Sequence, residues 1–153
     1  ERYRDQPFAR HGWVNWQVAV NFTQELIKQY DVRCPGPNTR IRLLSGGNMQ
    51  KLILGRVLQN DPRVILAHQP SRGLDIGAVH YVHKKLLEAR QKGAAILLIS
   101  EDLDEILQLS DIIHVSSEGR VSPAFQRGKV TPADLGGWMS GAAFAKQETM
   151  HAS

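Results

Sequence analysis

The chain has 153 residues, 42% of them hydrophobic and 22% charged. That is an ordinary globular composition, and it excludes collagen-like, mucin-like and fully disordered chains. Its apolar runs are strand-sized and too short to span a bilayer. Its single cysteine, Cys34, excludes a disulfide scaffold and suits a reducing compartment. The net charge of +4 is spread thinly, with the densest basic group at Arg2, Arg4 and Arg10. No aromatic–basic alternation suits base stacking, so no nucleic-acid partner is expected.

In chain order, residues 1–12 read as an irregular entry. Over 13–30 the residues Trp16, Ala19, Val20, Thr23, Ile27 and Tyr30 recur at helical steps and predict an amphipathic helix. Cys34-Pro35-Gly36-Pro37 ends that segment in a rigid turn. A second helix is predicted over 46–59, with Met49, Leu52, Ile53 and Val57 inward, closed by Asn60-Asp61-Pro62. The run Val64-Ile65-Leu66-Ala67 reads as a strand covered on both faces.

Residues 76–91 read as a helix with Ile76, Val79, Val82, Leu86 and Ala89 inward, ended by Gly93. A second buried strand follows over 94–99. A short helix over 102–109 carries Asp102 and Glu105 at capping-box spacing. Two short strands, 111–115 and 120–125, flank a turn at Glu118-Gly119. Thr131 opens a last short helix with Pro132 in its first position. The tail from 142 onward reads as frayed. Two buried strands joined by a helix predict parallel pairing and an α/β fold.

The chemistry starts at Leu44-Ser45-Gly46-Gly47-Asn48. A serine and two glycines at a helix start leave backbone N–H groups uncovered at the positive end of the helix dipole, which suits a phosphate. The plainer role for the same residues is a helix cap with Ser45 as N-cap. Two further blocks follow. The first is Val64-Ile65-Leu66-Ala67-His68-Gln69-Pro70-Ser71-Arg72-Gly73-Leu74-Asp75. The second is Ile96-Leu97-Leu98-Ile99-Ser100-Glu101-Asp102-Leu103-Asp104-Glu105.

In order and spacing these three blocks resemble the nucleotide-binding subunits of ABC transporters. That family has an LSGGQ-type signature, a strand ending in Asp-Glu-Pro, a Gly-Leu-Asp loop and a strand ending in a switch histidine. The resemblance runs from about Trp13 to Gly141 and is nearest to importers of simple sugars or nucleosides, whose ATPase subunit carries two cassettes. It implies a partial P-loop NTPase fold: a helical subdomain over 1–60, the remainder of the ATPase core over 61–126, and a C-terminal helix and tail over 127–153. The chain, which opens on Glu1 rather than methionine, is expected to be a fragment or processed product, the later portion of the second cassette.

The departures from the pattern concern hydrolysis. No GxxxxGK loop followed by Ser or Thr occurs, and the family's glutamine loop is absent. His68 and Gln69 stand where the family has Asp and Glu, and Glu101 stands at the switch histidine. Magnesium prefers oxygen to imidazole. Gln69 can position a water but cannot take its proton at neutral pH. The resemblance therefore implies that Ser45, Gly46, Gly47 and Asn48 cap ATP held by the partner cassette. It puts Asp75, also an expected N-cap, at the meeting of the cassettes.

The positions of His68, Gln69 and Glu101 form a degenerate site. ATP and Mg2+ belong to the intact protein, and neither nucleotide nor metal is expected on this segment alone, which should not hydrolyse ATP. The implied partners are the first cassette of the same polypeptide, membrane-spanning permease subunits and, indirectly, a periplasmic or lipoprotein solute-binding protein. The implied location is peripheral, on the cytoplasmic face of the plasma membrane. The alternatives are a non-hydrolytic interaction module and a soluble ABC-type ATPase of nucleic-acid metabolism.

His68 and Glu101 are expected either to form a hydrogen-bonded pair, acid and imidazole exchanged between strands, or each to face solvent. His80 and His83 lack a third metal ligand and read as a solvated helix face. Cys34 reads as inert. Trp13 and Trp16 read as core or interface edge, and Arg72 carries no assigned chemistry.

Overall fold

The computed structural model describes residues 7–10 and 13–151. The expected basic cluster at Arg2 and Arg4 and the end of the tail lie outside them. The chain divides into two compact units, Glu1–Leu97 and Leu98–Ser153.

The first unit begins with a small antiparallel pair, β1 (Ala9–Arg10) and β2 (Trp13–Val14), so part of the expected irregular entry is paired. Helix α1 spans Trp16–Gln29, starting later than the apolar period predicts. The reason is Asn15, whose Oδ1 accepts the Val18 N–H at 3.2 Å and caps the helix, leaving the chain before it extended. Trp13 and Trp16 are exposed, at 83% and 74%, so neither belongs to the core of this unit. The inward face of α1 is carried by Leu26, with Tyr30 just past its end. Asp31, at φ +49°, turns the chain out of the helix in the left-handed region.

A short 3-10 turn, Ile41–Leu43, leads to α2 (Gly46–Leu58). Ser45 is its N-cap, as the sequence predicts. The buried face is not the predicted one. Leu54, Gly55 and Leu58 are buried, whereas Met49, Ile53 and Val57 are exposed. Gly55 decides this: a Cβ there would lie 2.8 Å from Tyr30 Cδ2, so its bare backbone is where the buried Tyr30 ring packs. Met49, Leu52 and Ile53 of the predicted stripe instead line an open apolar groove of about 590 Å³ with Leu26, Ile27, Ile41 and Leu44.

Strand β3 (Val64–His68) alternates exposed and buried residues, which corrects the two-faced expectation. Ile65 and Ala67 are inside, but Val64 and Leu66 remain 71% and 67% exposed. It lies beside β4 (Ala95–Ile99) in a two-stranded sheet. The Ala95 N–H donates to the Arg63 carbonyl at 2.9 Å, so the strands begin side by side. Between them, α3 (Ile76–Gln91) has the predicted bounds and buries Ala78, Val82, His83 and Leu86. Val82, at 1% exposure, anchors this face, and full burial of such a side chain stabilises by about 1.5–3 kcal/mol. Ile76, expected inward, is exposed, and His83, expected on a solvated face, is buried.

In the second unit α4 (Leu103–Leu109) is capped by Asp102, whose Oδ1 accepts from the Asp104 and Glu105 amides. The reciprocal half of the predicted capping box is supplied by Ser100 Oγ, which accepts the Asp102 N–H at 3.0 Å; Glu105 is buried instead. The predicted pair of strands appears as an interrupted antiparallel ladder. Strand β5 (Ile112–Ile113) pairs with β8 (Phe125–Gln126), and β6 (Ser116–Ser117) with β7 (Arg120–Val121).

Glu118 and Gly119, both at positive φ, make the turn. Helix α5 (Pro132–Met139) begins at Thr131 in a complete capping box with Asp134, whose carboxyl is held below the usual range by the Thr131 hydroxyl and amide. The tail expected to fray is α6 (Ala142–His151), whose Phe144 is buried edge-on against Trp138 at 4.8 Å. Ile113, Val115 and Leu135 form the core of this unit.

Candidate functional site

The site in the first unit is built from the start of α2 and the turn between β3 and α3. Ser45 and Gly46 are exposed, while Gly47 and Asn48 are half-buried. Ser45 Oγ accepts the Asn48 N–H at 3.4 Å and the Asn48 side-chain amide at 2.9 Å. Asn48 Oδ1 accepts the Arg33 N–H at 2.8 Å. Asn48 therefore spends its side chain on orienting Ser45 and on holding the loop after α1. The amides of Gly46 and Gly47, which no residue of their own helix can accept, have no acceptor among the described residues. Around Gly46 the space is open, since an added Cβ would meet only Leu74 Cδ2, at 3.7 Å. Gly47 is crowded: its Cβ would lie 3.0 Å from Ala78 Cβ.

The facing turn begins where β3 ends. His68 is exposed, its side chain making no hydrogen bond or ion pair among the described residues of its own unit. Gln69, half-buried, sits at φ +49° just before Pro70. A non-glycine residue held there costs on the order of 1–2 kcal/mol, so neighbouring groups must hold the bend. The Arg72 N–H donates to the Gln69 carbonyl at 3.3 Å and the Leu74 N–H to Ser71 at 3.2 Å. Gly73, at φ +73°, allows the chain to reverse. Asp75 then caps α3, its Oδ1 accepting the Ala78 N–H at 2.9 Å, as expected.

A tie that sequence reasoning missed joins the two halves: Gln50 Nε2 donates to the Pro70 carbonyl at 2.9 Å. Its only signal is a polar residue at the helix start, and nothing in the spacing names its partner twenty positions on.

Behind this site, Lys51 Nζ donates to both the carbonyl and the carboxylate of Asp31, each at 2.9 Å, and lies 4.8 Å from the Tyr81 ring. That hydrogen bond holds the Asp31 carboxyl below its usual range. The Tyr81 hydroxyl donates to the Tyr30 carbonyl at 3.0 Å. Burial, followed by the nearby Tyr30, Asp31 and Glu88, pushes the Tyr81 phenol up to about 12. These contacts fix α2 against α1 and α3.

The donors at the end of β3 are an imidazole and a carboxamide, and this set does not fit a magnesium ion. Among the described residues no three of His, Cys, Asp or Glu gather to hold a metal. Glu101 lies in the second unit, exposed, its side chain making no hydrogen bond or ion pair among the described residues of that unit. Of the expected His68–Glu101 pair, His68 belongs to the first unit and Glu101 to the second. Cys34 is half-buried, its thiol 3.7 Å from the Gly36 carbonyl. No helix among the described residues is long and apolar enough to cross a membrane.

No protein-family model matches the chain. It is 43% identical, over 141 residues, to the guanosine import ATP-binding protein NupO of Bacillus subtilis (strain 168), a match covering 92% of this chain and 28% of that protein. It is 38% identical over 141 residues to the nucleoside import ATP-binding protein NupA of Lactococcus lactis subsp. cremoris (strain MG1363), with the same 92% and 28% covered. The chain thus spans about a quarter of the length of the relatives it matches. Its fold is similar to that of a nucleotide-free ATP-binding cassette from an ABC transporter, with a TM-score of 0.65 at 21% identity, covering 88% of this chain and 51% of that one. The likeness extends to a cassette solved as a dimer in a post-hydrolysis state with ADP and Pi, with a TM-score of 0.61 at 22% identity, covering 76% and 50%.

Proposed function

Because the chain corresponds to the later part of an ABC-type ATP-binding cassette, we propose that it serves an importer of nucleosides or simple sugars as part of the ATPase subunit. In this reading residues 1–60 belong to the helical subdomain, 61–126 to the remainder of the ATPase core and 127–153 to the C-terminal helices, and the cassette is the second of two. The first cassette of the same polypeptide holds ATP. Ser45, Gly46 and Gly47 close over its terminal phosphate, with Asn48 holding Ser45 in place.

The Gly46 and Gly47 amides and the Ser45 hydroxyl supply oriented donors where negative charge concentrates. Closure of the pair pulls the helical subdomain against permease subunits at the cytoplasmic face of the membrane. This cassette's own pocket, with His68, Gln69 and Glu101 at the hydrolytic positions, has no carboxylate base at the strand end and turns nucleotide over poorly. Asp75 lies where the cassettes meet.

The observation that carries this reading is the pair of unaccepted amides at the start of α2, with open space at Gly46. Gly46→Asp in the full-length protein is the clean test, because a Cβ there meets only Leu74 Cδ2, at 3.7 Å, and the carboxylate brings an anion to the phosphate position. ATPase activity is expected to fall at least about a hundredfold, the equivalent of one lost oxyanion donor. Undiminished activity in a folded Gly46→Asp protein overturns the assignment.

A further inference from the structure

The bend at Gln69 and the open helix start of α2 are joined by one side chain, and that join carries a role of its own. Gln50 lies just over one turn into α2, on the same short helix as Ser45, Gly46 and Gly47. Its Nε2 reaches the Pro70 carbonyl at 2.9 Å, in a half-buried setting. Pro70 itself is buried, and it follows the residue held at φ +49°. At the far end of the turn, Gly47 packs against Ala78 and Asp75, so the turn is tied to α2 at both ends. Between those ties, the turn's own hydrogen bonds are the long ones at 3.3 and 3.2 Å. The bond from the Gln50 amide, which joins the strained bend to the helix, is thus shorter than either hydrogen bond within the turn.

We propose that Gln50 is a positioning residue. It locks the turn carrying Gln69, which belongs to this cassette's own pocket, to the helix start that closes on the partner cassette's nucleotide, so that the two move as one body. The proposal rests on the reading of α2 as that closing element. Its consequence is that the helix start reaches its closed position only when the bend at Gln69 is in place. Loss of the Gln50 donor therefore weakens the closed, reacting state more than the initial binding of ATP.

The experiment uses the full-length protein and compares Gln50→Met, Gln50→Glu and Gly46→Asp. Gln50→Met keeps the length of the side chain and removes its donor. Gln50→Glu keeps the shape but points an acceptor at the Pro70 carbonyl, and it regains an O–H donor only when protonated. With each variant folded and melting within about 4 °C of the parent, the shift one lost hydrogen bond brings, Gln50→Met is expected to lower kcat about fivefold, while KM for ATP stays within about twofold. Gln50→Glu is expected to match Gln50→Met at pH 8 and to recover at least about threefold relative to it as the pH falls towards 6, because burial against a carbonyl raises a carboxyl pKa.

Unchanged kcat in Gln50→Met, or a loss that Gln50→Glu does not recover at low pH, overturns the role of Gln50. Full activity in Gly46→Asp overturns the reading beneath it, so the two failures are distinct. If Gln50→Glu does not fold, the kcat-against-KM split of Gln50→Met decides the outcome alone.

Discussion

Gly46 and Gly47 open the same helix, yet alanine at each should do opposite things to stability. A Cβ on Gly47 would stand 3.0 Å from Ala78 Cβ and 3.7 Å from Asp75 Oδ2. Ala78 Cβ is fixed to the backbone of α3, so no rotamer relieves the contact, and α2 and α3 must part by a few tenths of an ångström. Overpacking of this kind costs about 1–3 kcal/mol. Removing a glycine from a helix returns up to about 1 kcal/mol, which leaves Gly47→Ala destabilised by about 1 kcal/mol.

A Cβ on Gly46 meets only Leu74 Cδ2 at 3.7 Å, an ordinary contact, so the propensity gain goes unopposed. Gly46→Ala is expected to be neutral or stabilised by up to about 1 kcal/mol. The assay is thermal unfolding of the chain followed by far-UV circular dichroism. At about 2–4 °C per kcal/mol for a chain of this size, Gly47→Ala should melt about 3 °C below the parent and Gly46→Ala no lower than the parent. A Gly47→Ala protein that melts at or above the parent refutes the argument that this glycine is required by the approach of α3.

Two further outcomes follow from the same packing. At Gly55 an added Cβ would lie 2.8, 3.0 and 3.1 Å from three atoms of the buried Tyr30 ring, so Gly55→Ala should cost about 2–3 kcal/mol. Tyr30→Leu in the same chain should absorb part of that cost, and strictly additive losses in the double-mutant cycle would contradict the ring contact. The Tyr81 phenol, raised to about 12 chiefly by burial, favours its neutral form in the folded chain. The stability it contributes is complete below the ordinary value of 10.0 and is lost as pH rises through about 12. Ultraviolet titration should show a late phenolate step that is missing in Tyr81→Phe; persistence of that step in the variant would assign it to another tyrosine.

The caps and breaks were legible because their chemistry is local. Ser45, Asp75, Asp102 and Thr131 each accept an amide two or three residues on, and such a bond depends on little outside its own turn. The bounds of α3 and the Glu118-Gly119 turn followed for the same reason. The faces of α2 and β3 were not legible. An apolar stripe states that a face prefers cover without saying which of two stripes receives it, and α2 has one on each side. Tyr30 chose the Gly55 side because only there can a ring approach the backbone.

At the site, the open amides could be read from the glycines. The engagement of Asn48 with Arg33 and of Gln50 with Pro70 could not, because both partners arrive through tertiary folding. Trp16 misled the reading of α1 for the converse reason: its spacing fits the helical period, but Asn15 places it at the solvent-facing first position.

In the proposed reading, where the turn at residue 69 belongs to a nucleotide pocket, its left-handed bend bears on which side chains can stand there. Glutamine and glutamate are nearly isosteric and pay the same penalty for that backbone conformation. Exchanging one side-chain nitrogen for oxygen would thus install a proton acceptor at the strand end without asking the main chain to move. The path of the backbone at that corner therefore does not discriminate between glutamine and glutamate at residue 69.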